Sequence, residues 1–153
     1  MSAGKSRREY IVLAVAIALG AVFVYAGVDK IRDPLQFADS IAAFAILPAV
    51  FVNPLALGLP VFEVACGLLL VMPRTRRFGA LALVLISALF FVALLSALLR
   101  GLTLDCGCFG IGAPSRPRMW FELGLDAVLF ASALLVYFGS PRSTKSAQPM
   151  PLI

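Results

Sequence analysis

Four apolar runs of about 20 residues dominate the pattern of hydrophobic and polar positions along the chain. A run of this length crosses the hydrocarbon of a bilayer as an α-helix, because a helix closes its backbone hydrogen bonds within the segment. The pattern therefore predicts an all-α fold, a polytopic membrane four-helix bundle. The predicted spanning helices cover about residues 10–28, 54–72, 78–99 and 119–138.

A shorter amphipathic segment follows the first run. Asp33 and Pro34 are typical of a helix start, because Asp caps free N–H groups and Pro fits the first turn. The segment from Pro34 to about Ile46 is too short to span, so we expect a short interfacial helix between helices 1 and 2. A plain connector is the alternative. The apolar stripe of the segment contains Leu35, Phe37, Ala38, Ile41, Phe44 and Ala45.

The composition supports a membrane protein. Hydrophobic residues make up 61% of the chain and charged residues 14%, whereas a typical soluble domain has roughly 45–50% and 25%. A chain of 153 residues cannot enclose that excess in a dry core. We therefore expect a single membrane domain over residues 10–138, a cytoplasmic N-terminal segment over 1–9 and a flexible cytoplasmic tail over 139–153. The chain contains no His, which excludes a His-ligated haem or metal.

The basic residues predict that both termini lie in the cytoplasm, because positively charged loops stay on that side. The net charge of +5 thus orients the chain, and no nucleic-acid partner is expected. Residues 6–10 resemble a twin-arginine signal, but the apolar run is longer than a signal core, so a retained anchor is favoured. The cytoplasmic basic residues are predicted to be Lys5, Arg7, Arg8, Arg74, Arg76, Arg77, Arg142 and Lys145.

The loop after the third predicted helix contains two cysteines, Cys106 and Cys108, separated by Gly107. Their Cα atoms lie at most ~7 Å apart, which overlaps the ~4.4–6.8 Å of a disulfide. Gly107 supplies the backbone freedom that so small a ring requires. A strained disulfide is easily reduced, so the pair indicates redox exchange. The alternatives are a static clip and a metal site, the latter disfavoured because two thiolates without His leave it short of ligands.

Cys66 lies within the second predicted helix, far from the loop. A free Cys packs as a small hydrophobic residue, so we expect Cys66 to be buried. If the loop folded deep into the bundle, Cys66 could instead become a third redox partner.

Two acids, Glu63 and Asp126, fall within predicted spans, ~14 Å and ~10 Å from the outer ends of their helices at ~1.5 Å per residue. An ionisable group at this depth is costly unless it is paired or solvated, so both should face the bundle interior. Glu122 lies on the same helix face as Asp126, and Arg118 lies one turn above Glu122. These side chains predict a polar path toward the outer surface.

The acids have two interpretations. Reduction of a disulfide at neutral pH consumes two protons, so Glu63, Glu122 and Asp126 could form a proton relay. Alternatively they form a polar core that only specifies packing. Burial disfavours a charged Glu63 unless a cation pairs with it. The candidate counter-ions are Lys30, Arg32, Arg100 and Arg118.

Three motifs over about residues 10–138 carry a family resemblance. They are the stretch from Tyr25 to Pro34, then Leu59-Pro60 with Glu63 and Gly67, and the most specific, Asp105-Cys106-Gly107-Cys108-Phe109-Gly110. With these motifs the chain resembles the methylamine-utilisation membrane proteins of the MauE family, within the wider DoxX-like group of four-helix proteins.

The resemblance implies a four-helix bundle in the bacterial inner membrane. It also implies action with a periplasmic thioredoxin-like partner in disulfide handling during maturation of methylamine dehydrogenase. We therefore predict a thiol-disulfide redox protein with Cys106 and Cys108 as its catalytic pair, and an oxidoreductase activity is the candidate enzyme function. Loop geometry is assigned to Asp105, Gly107, Phe109 and Gly110.

Two rival functions and one departure from the family pattern stand beside this prediction. The rivals are a non-catalytic membrane assembly subunit and a small-molecule carrier with acids at the midplane. The family pattern has an Arg-Asn pair where this chain has Arg118-Met119, so a role of that Asn does not transfer. No haem or flavin motif is readable, and a quinone is a candidate electron carrier.

Overall fold

The computed structural model describes residues 7–104 and 115–140, which form five α-helices and no strands. The helices are α1 (Arg7–Arg32), α2 (Pro34–Ala43), α3 (Ala49–Val71), α4 (Arg76–Leu99) and α5 (Arg116–Gly139). Four of them, all except α2, are long and apolar enough to cross a membrane. The predicted all-α bundle of four spanning helices is confirmed.

The long helices pack in a ring. α1 contacts α3 and α5, and α4 contacts the same two helices. The short helix α2 lies across one end of this ring, mainly on α3. We call this end, where α1 and α4 finish and α3 and α5 begin, the α2 end. It is the end that the charge pattern predicts to be extracytoplasmic.

The start of α3 departs furthest from a predicted helix end, since α3 begins at Ala49 rather than at Pro54. Pro54 thus lies inside the helix, where it removes one backbone hydrogen bond. Membrane helices tolerate such a loss. The extra turn also contributes Val52, which packs beneath α2 and compensates by burying apolar surface. The helix α1 is also longer than predicted at both ends, from Arg7 to Arg32.

The helix α2 begins as predicted and ends earlier. The Asp33 carboxylate accepts a hydrogen bond from the Gln36 N–H at 3.1 Å, and Pro34 occupies the first turn. The helix ends at Ala43 rather than near Ile46, because Ala45 has a φ of 50° that no α-helix continues. The stripe residues Phe37, Ala38, Ile41 and Phe44 are buried, whereas Leu35 and Ala45 are exposed.

The bundle interior contains two apolar layers. Large apolar side chains on the outside, such as Phe78, Leu89 and Phe121, are exposed, as expected for contact with lipid. The layer farther from α2 contains Ala16, Leu19, Phe23, Cys66, Leu70, Ala80, Leu83, Ile86, Ala133 and Val136. The layer nearer α2 contains Phe44, Leu94, Ala97, Met119 and Leu123.

The closest helix approach is between α1 and α3. A Cβ atom added to Gly20 would lie 2.7 Å from the Gly67 carbonyl oxygen, and one added to Gly67 would lie 2.8 Å from the Gly20 oxygen. Both glycines are therefore required for the backbones to touch. Small residues allow close helix approach, and the sequence suggests Ala14, Ala18, Ala93 and Ala97 as such positions. Ala97 is buried and Ala93 half-buried, whereas Ala14 and Ala18 are exposed.

Candidate functional site

Lys30 of α1 and Glu63 of α3 form an ion pair inside the bundle. Lys30 Nζ donates to both carboxylate oxygens of Glu63, at 2.7 Å to Oε2 and 3.0 Å to Oε1. The two side chains are 4% and 1% exposed, so bulk solvent does not reach the pair. The rings of Phe37 and Phe90 each lie 5.4 Å from Nζ, where cation–π attraction further stabilises the ammonium.

A backbone contact between α1 and α3 places this pair. A Cβ atom on Gly27 would lie 2.8 Å from the Pro60 carbonyl oxygen, so the helices touch at this position. Lys30 and Glu63 each lie three residues farther along their own helices. Side chains spaced by three or four residues share a helix face, so this contact directs both toward the same interior space.

A second ionised cluster lies on α5. The Arg118 Nε donates to Oε1 of Glu122 at 3.0 Å, and the Glu122 side chain is 6% exposed. The Arg118 side chain is 31% exposed, so this pair reaches from the interior to the rim of the α2 end. The second carboxylate oxygen of Glu122, Oε2, has no hydrogen-bond partner among residues 7–104 and 115–140.

Asp126 lies one helical turn deeper on the same face of α5. Its Oδ2 atom is buried and has no hydrogen-bond partner among the described residues. The ion pairs found in that part of the chain join Lys30 to Glu63 and Arg118 to Glu122. Asp126 is therefore the interior carboxyl that no described cation contacts.

One cavity between the helices, partly open at the surface of the bundle, joins all these carboxyls. It has a volume of about 40 Å³ and is lined by Lys30, Glu63, Glu122 and Asp126. At roughly 10–15 Å³ for each water, it has room for about three water molecules. Its apolar wall includes Val22, Phe23, Ala26, Phe44, Phe90, Leu94 and Leu129.

The four candidate counter-ions are placed differently. Lys30 contacts Glu63, and Arg118 contacts Glu122. Arg100 instead donates from Nη2 to the Phe44 carbonyl oxygen at 2.5 Å, which ties the end of α2 to α4. Arg32 is exposed at the end of α1.

The acids lie deeper than the sequence suggests. Because α3 begins at Ala49 and α5 at Arg116, Glu63 and Asp126 lie ~21 Å and ~15 Å from these helix ends at ~1.5 Å per residue. The polar cavity is thus well within the thickness that the bundle spans.

The aromatic wall of the cavity was not assigned to the site from the sequence. Phe37 and Phe44 belong to the predicted apolar stripe of α2, so the sequence predicts that both face the interior. It does not indicate that Phe37 lies against Lys30 or that Phe44 lines the cavity. Phe90 lies in a continuous apolar helix in which no pattern distinguishes interior from lipid-facing positions. Only the packing of α4 against its neighbours identifies it.

The cysteines are separated in the chain. Cys66 is buried in the apolar layer farther from α2, as expected, with 2% exposure. Cys106 and Cys108 lie outside the described residues, together with the loop residues Asp105, Gly107, Phe109 and Gly110.

The sequence model of the family described as methylamine utilisation protein MauE matches residues 8–139, which is most of the chain. This chain belongs to the MauE family. The MauE match includes Lys30, Glu63, Glu122 and Asp126, so the whole cavity lies within the family domain.

Three MauE relatives show the extent of the similarity. The methylamine utilization protein MauE of Paracoccus denitrificans is 33% identical over 135 residues, which cover 88% of this chain and 72% of the relative. The protein of the same name from Methylophilus methylotrophus is 33% identical over 80% of this chain, and that from Paracoccus versutus is 34% identical over 76%. The matched segments span only 60% and 62% of these last two proteins. No solved structure matches the chain.

Proposed function

We propose that this MauE-family protein is an inner-membrane thiol-disulfide redox protein. Cys106 and Cys108 exchange electrons with an extracytoplasmic thioredoxin-like protein. Because its relatives are methylamine utilization proteins, the proposed role is maturation of disulfide-containing proteins in that metabolism. Methylamine dehydrogenase is the substrate that the family resemblance implies.

The observation that carries the proposal is the position of the cysteine pair in the chain. Both cysteines lie in the connection between Leu99, where α4 ends, and Arg116, where α5 begins. This connection leads into the helix that contributes Glu122 and Asp126 to the cavity. A redox pair and a set of buried carboxyls are therefore joined by one short stretch of chain.

The proposed exchange proceeds through a mixed disulfide. A thiolate of one protein attacks a sulfur of the other protein's disulfide, and the leaving sulfur takes the electron pair. The second thiol of the attacking pair then resolves the mixed disulfide. The attacking protein is left oxidised and the other is left with two thiols, so two electrons have moved.

A quinone remains a candidate for the electron carrier that resets the pair. The cavity does not fit one, because about 40 Å³ holds a few waters and not a quinone ring.

A non-catalytic assembly subunit is the second candidate function. The observation in its favour is that both oxygens of Glu63 are engaged by Lys30. Such an ion pair has a structural role without any catalytic one, because it fixes the register of α1 on α3.

A Cys108→Ser variant separates the two functions. If Cys106 attacks a partner, removal of the resolving thiol should trap a mixed disulfide that is visible on a non-reducing gel and dissolves on reduction. Cys66→Ser is the matched control and should trap nothing, because it leaves the resolving thiol in place and Cys66 itself is buried away from the α2 end. Absence of any trapped partner, together with normal maturation of disulfide proteins in cells lacking both loop cysteines, would favour the assembly subunit.

A further inference from the structure

We propose that Asp126 and Glu122 form a proton-binding site that exchanges protons with the α2 end of the bundle only. Asp126 holds the proton, and water in the cavity connects it to Glu122. The existence of this proton-binding site rests on the geometry of the cavity. Its role in the redox cycle rests on the proposed function, which the inference deepens.

The arrangement of charges singles out Asp126. Three carboxyls line the cavity, and two of them contact a cation: Glu63 contacts Lys30, and Glu122 contacts Arg118. Asp126 has neither a cation nor a partner for Oδ2 within the described residues. An isolated carboxylate at this depth is costly, so the neutral acid, which carries a proton, is the form that the site stabilises.

The groups that face Asp126 come from every neighbouring helix. α1 contributes Lys30 and α3 contributes Glu63, which neutralise each other. α4 contributes Phe90 and Leu94, which do not titrate. The remaining titratable group is Glu122 on the same helix, so proton exchange is directed toward it.

Glu122 provides the acceptor for that exchange. Its Oε2 atom lacks a hydrogen-bond partner in the described part of the chain, although the side chain is more than nine-tenths buried and lines the cavity. Two unpartnered carboxyl oxygens in one cavity need hydrogen-bond donors, which water or a protonated acid supplies.

The route from this site opens in one direction. Glu122 is one turn nearer the α2 end than Asp126, and Arg118 is one turn nearer again and partly exposed. In the other direction lies the apolar layer that includes Leu70, Leu83 and Val136. Ser87 is also buried on that side, but one hydroxyl cannot relay a proton through several turns of apolar packing.

Within the redox cycle, Asp126 supplies a proton to a leaving thiolate. When a partner thiolate attacks the disulfide of Cys106 and Cys108, the S–S bond breaks and the leaving sulfur takes the electron pair. A proton then moves from Asp126, through water and Glu122, to that thiolate. The thiol is neutral afterwards, and Asp126 is a carboxylate until it takes a proton back from the α2 side.

Infrared spectroscopy tests the site independently of any redox activity. Purified protein in lipid vesicles should show the C=O band of a protonated carboxylic acid at neutral pH. The band should be absent in Asp126→Asn, shifted in Glu122→Gln and unchanged in the matched control Asp39→Asn, whose carboxyl is on the exposed face of α2. A band that persists in Asp126→Asn would overturn the assignment, as would its absence from the unmodified protein.

Reduction kinetics test the proposed role. Without Asp126 the thiolate must take its proton from solvent, so Asp126→Asn should reduce the rate of disulfide reduction about a hundredfold at neutral pH, the lower end of the range of general acid catalysis. The defect should shrink at acidic pH, where solvent supplies protons, and at alkaline pH, where Asp126 has lost its own proton, and Asp126→Glu should restore the rate. An equal defect at every pH would indicate a structural role and contradict the proposal.

The outcomes distinguish this inference from the proposed function. If the infrared band is assigned to Asp126 but the cysteines trap no partner, the redox function fails and the proton site stands. If the cysteines cycle and Asp126→Asn has the normal rate and spectrum, the function stands and the inference fails. Proton flux through vesicles that Asp126→Asn abolishes would contradict the one-sided route.

Discussion

The ammonium of Lys30 lies within hydrogen-bond distance of both oxygens of Glu63, at 2.7 and 3.0 Å, in the interior of a bundle of spanning helices. Charges in such a place are tolerated only when they neutralise each other. The pair therefore couples α1 to α3 far more strictly than an exposed ion pair would.

Breaking the Lys30–Glu63 pair should destabilise the protein more than removing it entirely. Lys30→Met or Glu63→Met leaves one buried charge without its partner, and we expect each to lower the free energy of unfolding by about 3–5 kcal/mol. The double variant Lys30→Met/Glu63→Met should recover most of that loss. Denaturant unfolding in detergent measures the free energy of unfolding of the unmodified protein, the two single variants and the double variant.

Arg32→Met is the matched control for this cycle. It removes an exposed cation two residues from Lys30 and should change the unfolding free energy by no more than about 0.5 kcal/mol. Additive effects of the two core substitutions would contradict the pairing.

The sequence predicts the spanning helices well because their apolar runs match the thickness of a bilayer. The sequence also identifies the interior acids, because a carboxyl within a spanning helix has to face the interior of the bundle. It does not assign their partners, because Lys30, Arg32, Arg100 and Arg118 are all near the α2 end of their helices. Only the rotation and contact of the helices, fixed by glycines such as Gly27, decide which cation reaches Glu63.

The contact between Gly20 and Gly67 should be essential to the bundle. Gly67→Ala would place a methyl group 2.8 Å from the Gly20 carbonyl oxygen, which forces the two backbones apart. We expect a loss of about 1–3 kcal/mol of stability, as for other overpacked interiors. Thermal unfolding of the Gly67→Ala variant in detergent measures this loss of stability.

Gly58→Ala is the matched control on the same helix. A Cβ atom at Gly58 meets nothing within 4 Å, so alanine should keep or raise stability through its better helix propensity. Equal losses in the two variants would show that the contact between α1 and α3 is not the limiting one.

Arg100 should hold the end of α2 in place. Its Nη2 atom donates to the Phe44 carbonyl oxygen, and Phe44 packs against Leu94, Ala97 and Met119. We expect Arg100→Met to weaken this attachment by about 1 kcal/mol. Amide hydrogen exchange should then become about fivefold faster in α2, with little change in α4.

The Arg32→Met variant again provides a comparison, because Arg32 is exposed next to the start of α2, at the end opposite Phe44. Exchange that accelerates equally in both variants would indicate a general effect of lost charge rather than loss of the Arg100 hydrogen bond.

The three cysteines should differ in reactivity according to their places in the chain. If the α2 end faces outward, an impermeant maleimide should label Cys106 and Cys108 in intact, reduced spheroplasts. Cys66 should stay unlabelled even after the membrane is opened, because its side chain is buried in the apolar layer, and should react only on unfolding. Single-cysteine variants separate the three signals by mass spectrometry.

Arg74→Cys in a cysteine-free background is the matched control for orientation. Arg74 is exposed in the turn between α3 and α4, at the end of the bundle opposite α2. Because the spanning helices cross the membrane, Arg74→Cys should react only after permeabilisation, whereas the loop cysteines react before it. The reverse order would invert the predicted orientation and would place the loop cysteines in the cytoplasm, where a periplasmic thioredoxin-like partner could not reach them.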